Sequence, residues 1–152
     1  IDALAREQLG PIWILSAPGQ EESSERIARQ ALASCRVIPP LSLRPLLALI
    51  ASARAYLGND GGVLHCAVGL STPTVGIFGP TEREIWFPHE EFGGARLVQE
   101  EVPCRPCHLH ECDHLSCLRE LPVTRVVAAL KSLLQERESG FDARREGLVV
   151  HG

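Results

Sequence analysis

The chain lacks several features that would assign it to common functional classes. Its 152 residues contain no run of basic residues, and 15 Lys and Arg against 19 Asp and Glu give a formal charge of -4. Nucleic-acid phosphates are bound by clustered cations, so we expect no nucleic-acid partner. Aromatic residues make up only 5% of the chain, too few for the stacking platforms of single-strand binders.

Signals for membrane insertion and export are also missing from the sequence. The richest apolar segment, residues 45–57, is interrupted by Arg54 and is shorter than a membrane-spanning helix. The first residues contain no basic segment followed by an apolar one, so no secretory signal is predicted. The chain begins with Ile1 rather than Met, as expected if it continues an upstream segment. We expect a cytoplasmic location.

Enough apolar sequence is present to bury the core of one domain. The apolar fraction is 45% and the charged fraction 22%, which argues against bulk disorder. Strands are predicted at residues 11–16, 37–38, 55–58, 73–78 and 95–98, and helices at 22–34, 42–53, 63–69 and 122–137. This alternation predicts an α/β fold, with a parallel sheet covered by helices on both faces. Residues 138–152 are charged and interrupted by Gly, which predicts a flexible tail or a segment that docks on an absent partner.

The segment between the predicted strand at 55–58 and the helix at 63–69 has the pattern of an anion site. Unpaired amides and the positive end of the helix dipole favour anions there, and glycines let a ligand approach the backbone. The groups expected to bind phosphate are the amides of Gly61, Gly62, Val63 and Leu64 and the side chain of His65. Asp60 would repel a phosphate, so we assign it to sugar hydroxyls or to capping of the helix. A plain Asn-Asp-Gly-Gly turn is the alternative for the whole segment.

The same segment lies within a longer motif. Residues 57–81 read LGNDGGVLHCAVGLSTPTVGIFGPT, and this stretch resembles, without a gap, the signature of glycosyltransferase family nine. Members of that family are the ADP-heptose:lipopolysaccharide heptosyltransferases and their relatives. The resemblance extends over about residues 12–134 and includes the Cys-Arg-Pro-Cys segment at 104–107.

The resemblance implies a GT-B architecture, in which two Rossmann-like domains face each other across a cleft. Residues 1–137, with a Cys-rich loop at 102–118, resemble the C-terminal domain, a Rossmann-like three-layer sandwich that binds the nucleotide-sugar donor. In this family the other domain carries the acceptor surface and the catalytic base. We therefore expect no catalytic residue in this chain and no transferase activity from it alone.

The resemblance also implies the chemistry and the partners. The family inverts the anomeric carbon and needs no metal and no other cofactor. The implied donor is an ADP-sugar, ADP-heptose in the main branch, and the implied acceptor is the lipopolysaccharide inner core. Peripheral association with the inner face of the inner membrane is a further expectation.

Carried over position by position, the motif assigns roles to individual residues. Asp60 matches the motif Asp that is expected near the donor sugar, and Gly61 to His65 match the pyrophosphate loop. Gly61 stands where the family usually has Ser or Thr, so this chain lacks a hydroxyl that can bond phosphate.

Further positions match the family but have a simpler alternative. Leu41 corresponds to an apolar residue against the adenine ring, or is plain core. Glu21 or Glu22 corresponds to an acidic residue on the ribose hydroxyls, or both simply begin a solvated helix. Thr81 contacts the donor sugar, or belongs only to a Gly-Pro turn.

The six cysteines fall into two groups. Cys35 and Cys66 are isolated in apolar surroundings and are predicted to be small buried residues. The others are Cys104, Cys107, Cys112 and Cys117, with His108, His110 and His114 interleaved. These are the ligand types of a tetrahedral structural zinc site, and the alternative is a compact loop of thiols. The zinc alternative supports a second hypothesis, a zinc-stabilised α/β interaction module that has lost catalysis.

Overall fold

The computed structural model describes residues 1–87, 94–109, 111–138 and 147–151. The strands are β1 Ile12–Leu15, β2 Cys35–Ile38, β3 Ala55–Asn59, β4 Thr74–Phe78, β5 Ala95–Gln99 and β6 Leu148–His151. The helices are α1 Asp2–Arg6, α2 Glu21–Gln30, α3 Leu43–Ser52, α4 Gly62–Gly69, α5 Arg83–Trp86, α6 Ser116–Arg119 and α7 Val123–Glu138. The predicted strands and long helices are all present, with ends shifted by a few residues.

The six strands form one sheet in the order β2-β1-β6-β3-β4-β5, and every pair is parallel. Successive residues of β3 alternate between the two faces, as a strand requires. Leu57 packs with α1 and α7 on one face, and Tyr56 packs with α3 and α4 on the other. The predicted α/β fold with helices on both faces of a parallel sheet is therefore confirmed.

The prediction of a flexible tail is wrong for residues 148–151. They form β6, the strand between β1 and β3, where Leu148 pairs with both Ile12 and Ala55. Leu148 and Val149 are 1% and 0% exposed and enter the two opposite cores. Burying such side chains stabilises a fold by about 1.5–3 kcal/mol each. The segment does dock, but within its own sheet; residues 139–146 and 152 lie outside the described residues.

Smaller differences concern helix ends and cysteines. Helix α2 ends at Gln30 rather than near residue 34, because Ala31 is already extended, with ψ of 135°. The short helices α1, α5 and α6 were not predicted. Cys35 and Cys66 are half-buried rather than fully buried. Among the described residues, no helix combines the length and apolar character needed to cross a membrane.

Candidate functional site

The carboxyl end of β3 leads directly into the N terminus of α4. Gly61 is the N-cap residue of α4, and no side chain caps this helix. The capping role considered for Asp60 is therefore wrong. The amide of Asp60 instead donates to the Ile77 carbonyl at 3.0 Å, which ties the loop to β4. The first amides of a helix have no i−4 acceptor within the helix, so the amides of Gly62 and Val63 are available to a ligand at the sheet edge.

The two glycines leave this N terminus open. A Cβ atom added at Gly61 or Gly62 would have no neighbour within 4 Å, so the space that an anion needs is unfilled. The prediction for Leu64 is wrong in one respect, because its amide donates to the Gly61 carbonyl at 3.1 Å and its side chain is buried. Val63 and His65 are half-buried in the first turn of α4.

Asp60 and Thr81 meet across the ends of two neighbouring strands. Thr81 follows β4, and its hydroxyl donates to Asp60 Oδ2 at 2.8 Å. A hydrogen bond to a carboxylate is stronger than a neutral one, so it fixes the orientation of Asp60. The second carboxylate oxygen remains as an acceptor for a polyol. The two residues that the sequence assigned to the sugar are thus brought together.

A cavity of about 90 Å³ lies beside this N terminus. Its lining is mostly apolar and comes from the carboxyl ends of β1, β2 and β6 together with α3 and α4: Leu15, Ser16, Ala17, Pro18, Pro39, Leu41, Leu46, Val63 and His151. Leu41 and Val63 therefore share one cavity, which links the residue assigned to adenine with the residue assigned to phosphate. Ligands of open α/β sheets bind at this edge.

Sequence reasoning missed the two polar residues of this cavity, Ser16 and His151. Ser16 Oγ is buried and has no hydrogen-bond partner in the part of the chain that the structure describes. Burial lowers the pKa of His151, so the imidazole is neutral at pH 7. A buried hydroxyl without a partner costs about 1–3 kcal/mol, which a polar ligand would recover. No sequence signal points to His151, because the charged, Gly-interrupted segment around its strand predicts a tail.

Glu21 and Glu22 begin α2, after the loop that follows β1, and both are exposed. Carboxylates at this position are favoured by the helix dipole alone. No contact among the described residues distinguishes Glu21 from Glu22, so the assignment of one of them to the ribose hydroxyls stays a prediction.

The described part of the Cys-rich loop does not assemble a zinc site. Among the described residues, which omit His110, no group of three or more His, Cys, Asp or Glu side chains is arranged to hold a metal ion. Cys104 is exposed, Cys107 and Cys112 are half-buried, and Cys117 is buried, and all are free thiols. Burial, reinforced by the neighbouring thiols, raises the pKa of Cys117, which keeps it protonated at neutral pH.

This loop instead contacts the segment that carries Thr81. The amides of Cys107 and His108 both donate to the Pro80 carbonyl at 3.1 Å. Nη2 of Arg105 donates to the Thr81 carbonyl at 3.0 Å. Arg105 lies between Cys104 and Cys107, and nothing in the sequence marks it as part of the site.

The chain resembles known proteins in sequence. The profile of glycosyltransferase family 9 (heptosyltransferase) matches residues 1–116. Lipopolysaccharide heptosyltransferase 1 of Pseudomonas aeruginosa is 32% identical over 106 residues, which are 67% of this chain and 29% of that protein. Lipopolysaccharide heptosyltransferase 3 of Escherichia coli K12 is 30% identical over 102 residues, 62% of this chain and 27% of that protein.

Two solved structures share the fold. ADP-heptose lipopolysaccharide heptosyltransferase II of E. coli superposes with a TM-score of 0.71 at 22% identity, covering 90% of this chain and 41% of that one. A family 9 glycosyltransferase from Veillonella parvula gives a TM-score of 0.68 at 20% identity, covering 89% and 39%. The chain thus spans less than a third of these two curated relatives and about two fifths of the solved chains.

The parallel sheet and these structural matches define the fold class, an α/β domain that shares its fold with part of each solved chain. More narrowly, the chain belongs to glycosyltransferase family 9, the heptosyltransferase family.

Proposed function

We propose that this chain is the donor-binding part of a heptosyltransferase-like enzyme of lipopolysaccharide core synthesis, and that it binds an ADP-sugar, ADP-heptose first of all. One observation carries the proposal. The uncapped N terminus of α4, the cavity with Leu41 and the Asp60–Thr81 pair occupy the same sheet edge. An elongated ligand with a base, a diphosphate and a polyol would find a matching partner for each part there.

Each part of the donor has a distinct environment in this proposal. The base enters the apolar cavity between Leu41 and Val63, and Ser16 and His151 supply its polar end. The diphosphate meets the amides at Gly61 to Val63 and the side chain of His65. The sugar hydroxyls bond the free oxygen of Asp60.

The chemical step follows from the same placement. Amides and a helix dipole that are already oriented stabilise the negative charge that develops on the leaving diphosphate, without reorganisation in the transition state. Inversion at the anomeric carbon needs a base on the opposite side of the sugar to activate the acceptor hydroxyl. We assign that base, and the surface for the lipopolysaccharide inner core, to a second domain at the membrane surface.

Titration of the isotope-labelled chain with ADP tests the proposal. We expect saturable amide shifts at residues 61–65 and around Leu41, Ser16 and His151, and smaller shifts with adenosine, which has no phosphates. GDP serves as the control for the base cavity. Shifts confined to other parts of the chain, or equal shifts with inorganic phosphate alone, would reject the donor site.

A further inference from the structure

Arg105 is a buried cation that joins two loops at the edge of the candidate site. Its side chain is only 6% exposed. Nη2 donates to the Thr81 carbonyl at 3.0 Å and to Gln99 Oε1 at 2.9 Å. Nη1 donates to the Glu100 carbonyl at 3.1 Å. The guanidinium therefore ties the end of β5 to the segment after β4.

The effect of Arg105 reaches Asp60 through one intermediate residue. Arg105 holds the carbonyl of Thr81, and the hydroxyl of Thr81 donates to Asp60 Oδ2 at 2.8 Å. The preceding carbonyl, that of Pro80, accepts from two amides of the same Cys-rich loop. Two successive carbonyls of this segment are thus fixed by the loop, so the position of the Thr81 hydroxyl depends on it.

Stability alone does not explain an arginine here. The carboxylate of Glu101 is 3.9 Å away and its side chain is 78% exposed, so solvent screens the pair and it adds little. Nε of Arg105 is buried without a partner. Removing a charge from water is costly unless it is well paired, and an apolar side chain would fill the same space without that penalty. The arginine is best explained by the directed hydrogen bonds that it makes.

We propose that Arg105 is a positioning residue for the donor sugar. By fixing Thr81 it holds Oδ2 of Asp60 in a hydrogen bond and directs the other carboxylate oxygen toward the sugar hydroxyls. The inference rests on the proposed donor site and assigns the Cys-rich loop a role in sugar binding without a metal. The proposed role affects the affinity for ADP-heptose but not that for ADP, because Arg105 acts on the sugar and not on the adenosine diphosphate.

Calorimetric titration of the chain with ADP and with ADP-heptose tests this role. We expect Arg105→Gln to weaken ADP-heptose binding by about tenfold, the effect of one or two well-placed hydrogen bonds, and to change ADP binding by less than twofold. Arg54→Gln is the matched control. Arg54 is a partly buried arginine that also donates to a backbone carbonyl, that of Leu9 at 3.1 Å, next to the opposite end of β3, and its substitution should leave both affinities unchanged.

A double-mutant cycle separates positioning from general damage. Thr81→Val should give the same selective loss as Arg105→Gln, and the double variant should lose no more than either single one, because both act on Asp60. If Arg105→Gln fails to fold, Arg105→Lys, which retains the charge but not the fork of donors, should show the selective loss in part. Equal losses for ADP and ADP-heptose, additive losses in the double variant, or no loss would overturn the role of Arg105. A wild-type chain that binds neither ligand would instead reject the donor site itself.

Discussion

At the scale of single residues, a substitution at Gly62 should change stability and ADP binding in opposite directions. It lies in the first turn of α4, and a Cβ atom there would meet no other part of the described structure within 4 Å. Alanine is favoured over glycine in helices by up to about 1 kcal/mol, so Gly62→Ala should raise the free energy of unfolding. The same methyl group would occupy the approach of a diphosphate to the amides, and we expect ADP affinity to fall by at least about fivefold. Urea melts and calorimetry check the two effects.

The matched control is Gly69→Ala, at the last residue of the same helix. Its Cβ would also meet no atom within 4 Å, so the comparison keeps the helix and the substitution constant. We expect a similar gain in stability and no change in ADP affinity. A loss of ADP binding in both variants would show that the effect is not local to the N terminus.

The buried His151 should make the stability of the fold decrease at acid pH. Burial lowers the pKa of His151 in the folded chain, so the unfolded chain binds this proton at higher pH than the folded one. Above the ordinary pKa the imidazole is neutral in both states, and the free energy of unfolding is unaffected by this group. As the pH falls through about 6.5 and below, the unfolded chain takes up the proton first, and the free energy of unfolding decreases. Denaturant melts between pH 7.5 and 5 should show a steeper loss for the wild type than for His151→Gln. Equal slopes in the two proteins would contradict the assignment.

At the scale of elements, β6 is the feature that local sequence could not reveal. Helix α4 and the strands on either side of it were predictable, because glycines and a polar turn separate two apolar runs of sufficient length. Strand β6 is four residues long and follows a charged segment. Its neighbours in the sheet, β1 and β3, are far away in sequence, and only their pairing identifies it. The same limit applies to Arg105, whose partners lie on separate segments.

The buried position of β6 can be checked with a core substitution. Val149 is 0% exposed, and Val149→Ala should lower the free energy of unfolding by roughly 2 kcal/mol, from lost burial and the cavity that remains. Leu32→Ala is the control, because Leu32 is 91% exposed and its truncation should change stability by less than about 0.5 kcal/mol. Equal, small effects in both variants would contradict the buried strand and favour a flexible tail.

At the scale of the whole molecule, the residues of the proposed donor site gather at the same edge of the sheet. The open N terminus of α4, the Asp60–Thr81 pair and the cavity with Leu41 all lie at strand carboxyl ends, and the Cys-rich loop packs against the same edge through Pro80. These groups match the parts of the proposed donor, and the proposal gives none of them the removal of a proton from the acceptor. The arrangement suits binding of a nucleotide sugar and stabilisation of its leaving group, with activation of the acceptor assigned elsewhere.

The proposal assigns donor binding to this chain and activation of the acceptor to a second domain. It therefore predicts that this chain binds the donor without turning it over. The isolated chain should bind ADP-heptose yet release no ADP above the buffer rate when a lipopolysaccharide core acceptor is added, because the proposal assigns the base that activates the acceptor hydroxyl to a second domain. A coupled assay for ADP release, run at saturating donor, measures the turnover. The control is Asp60→Asn, which should weaken binding of ADP-heptose more than that of ADP. Acceptor-dependent ADP release that Asp60→Asn abolishes would place the complete catalytic apparatus in this chain and contradict the assignment of the base to a second domain.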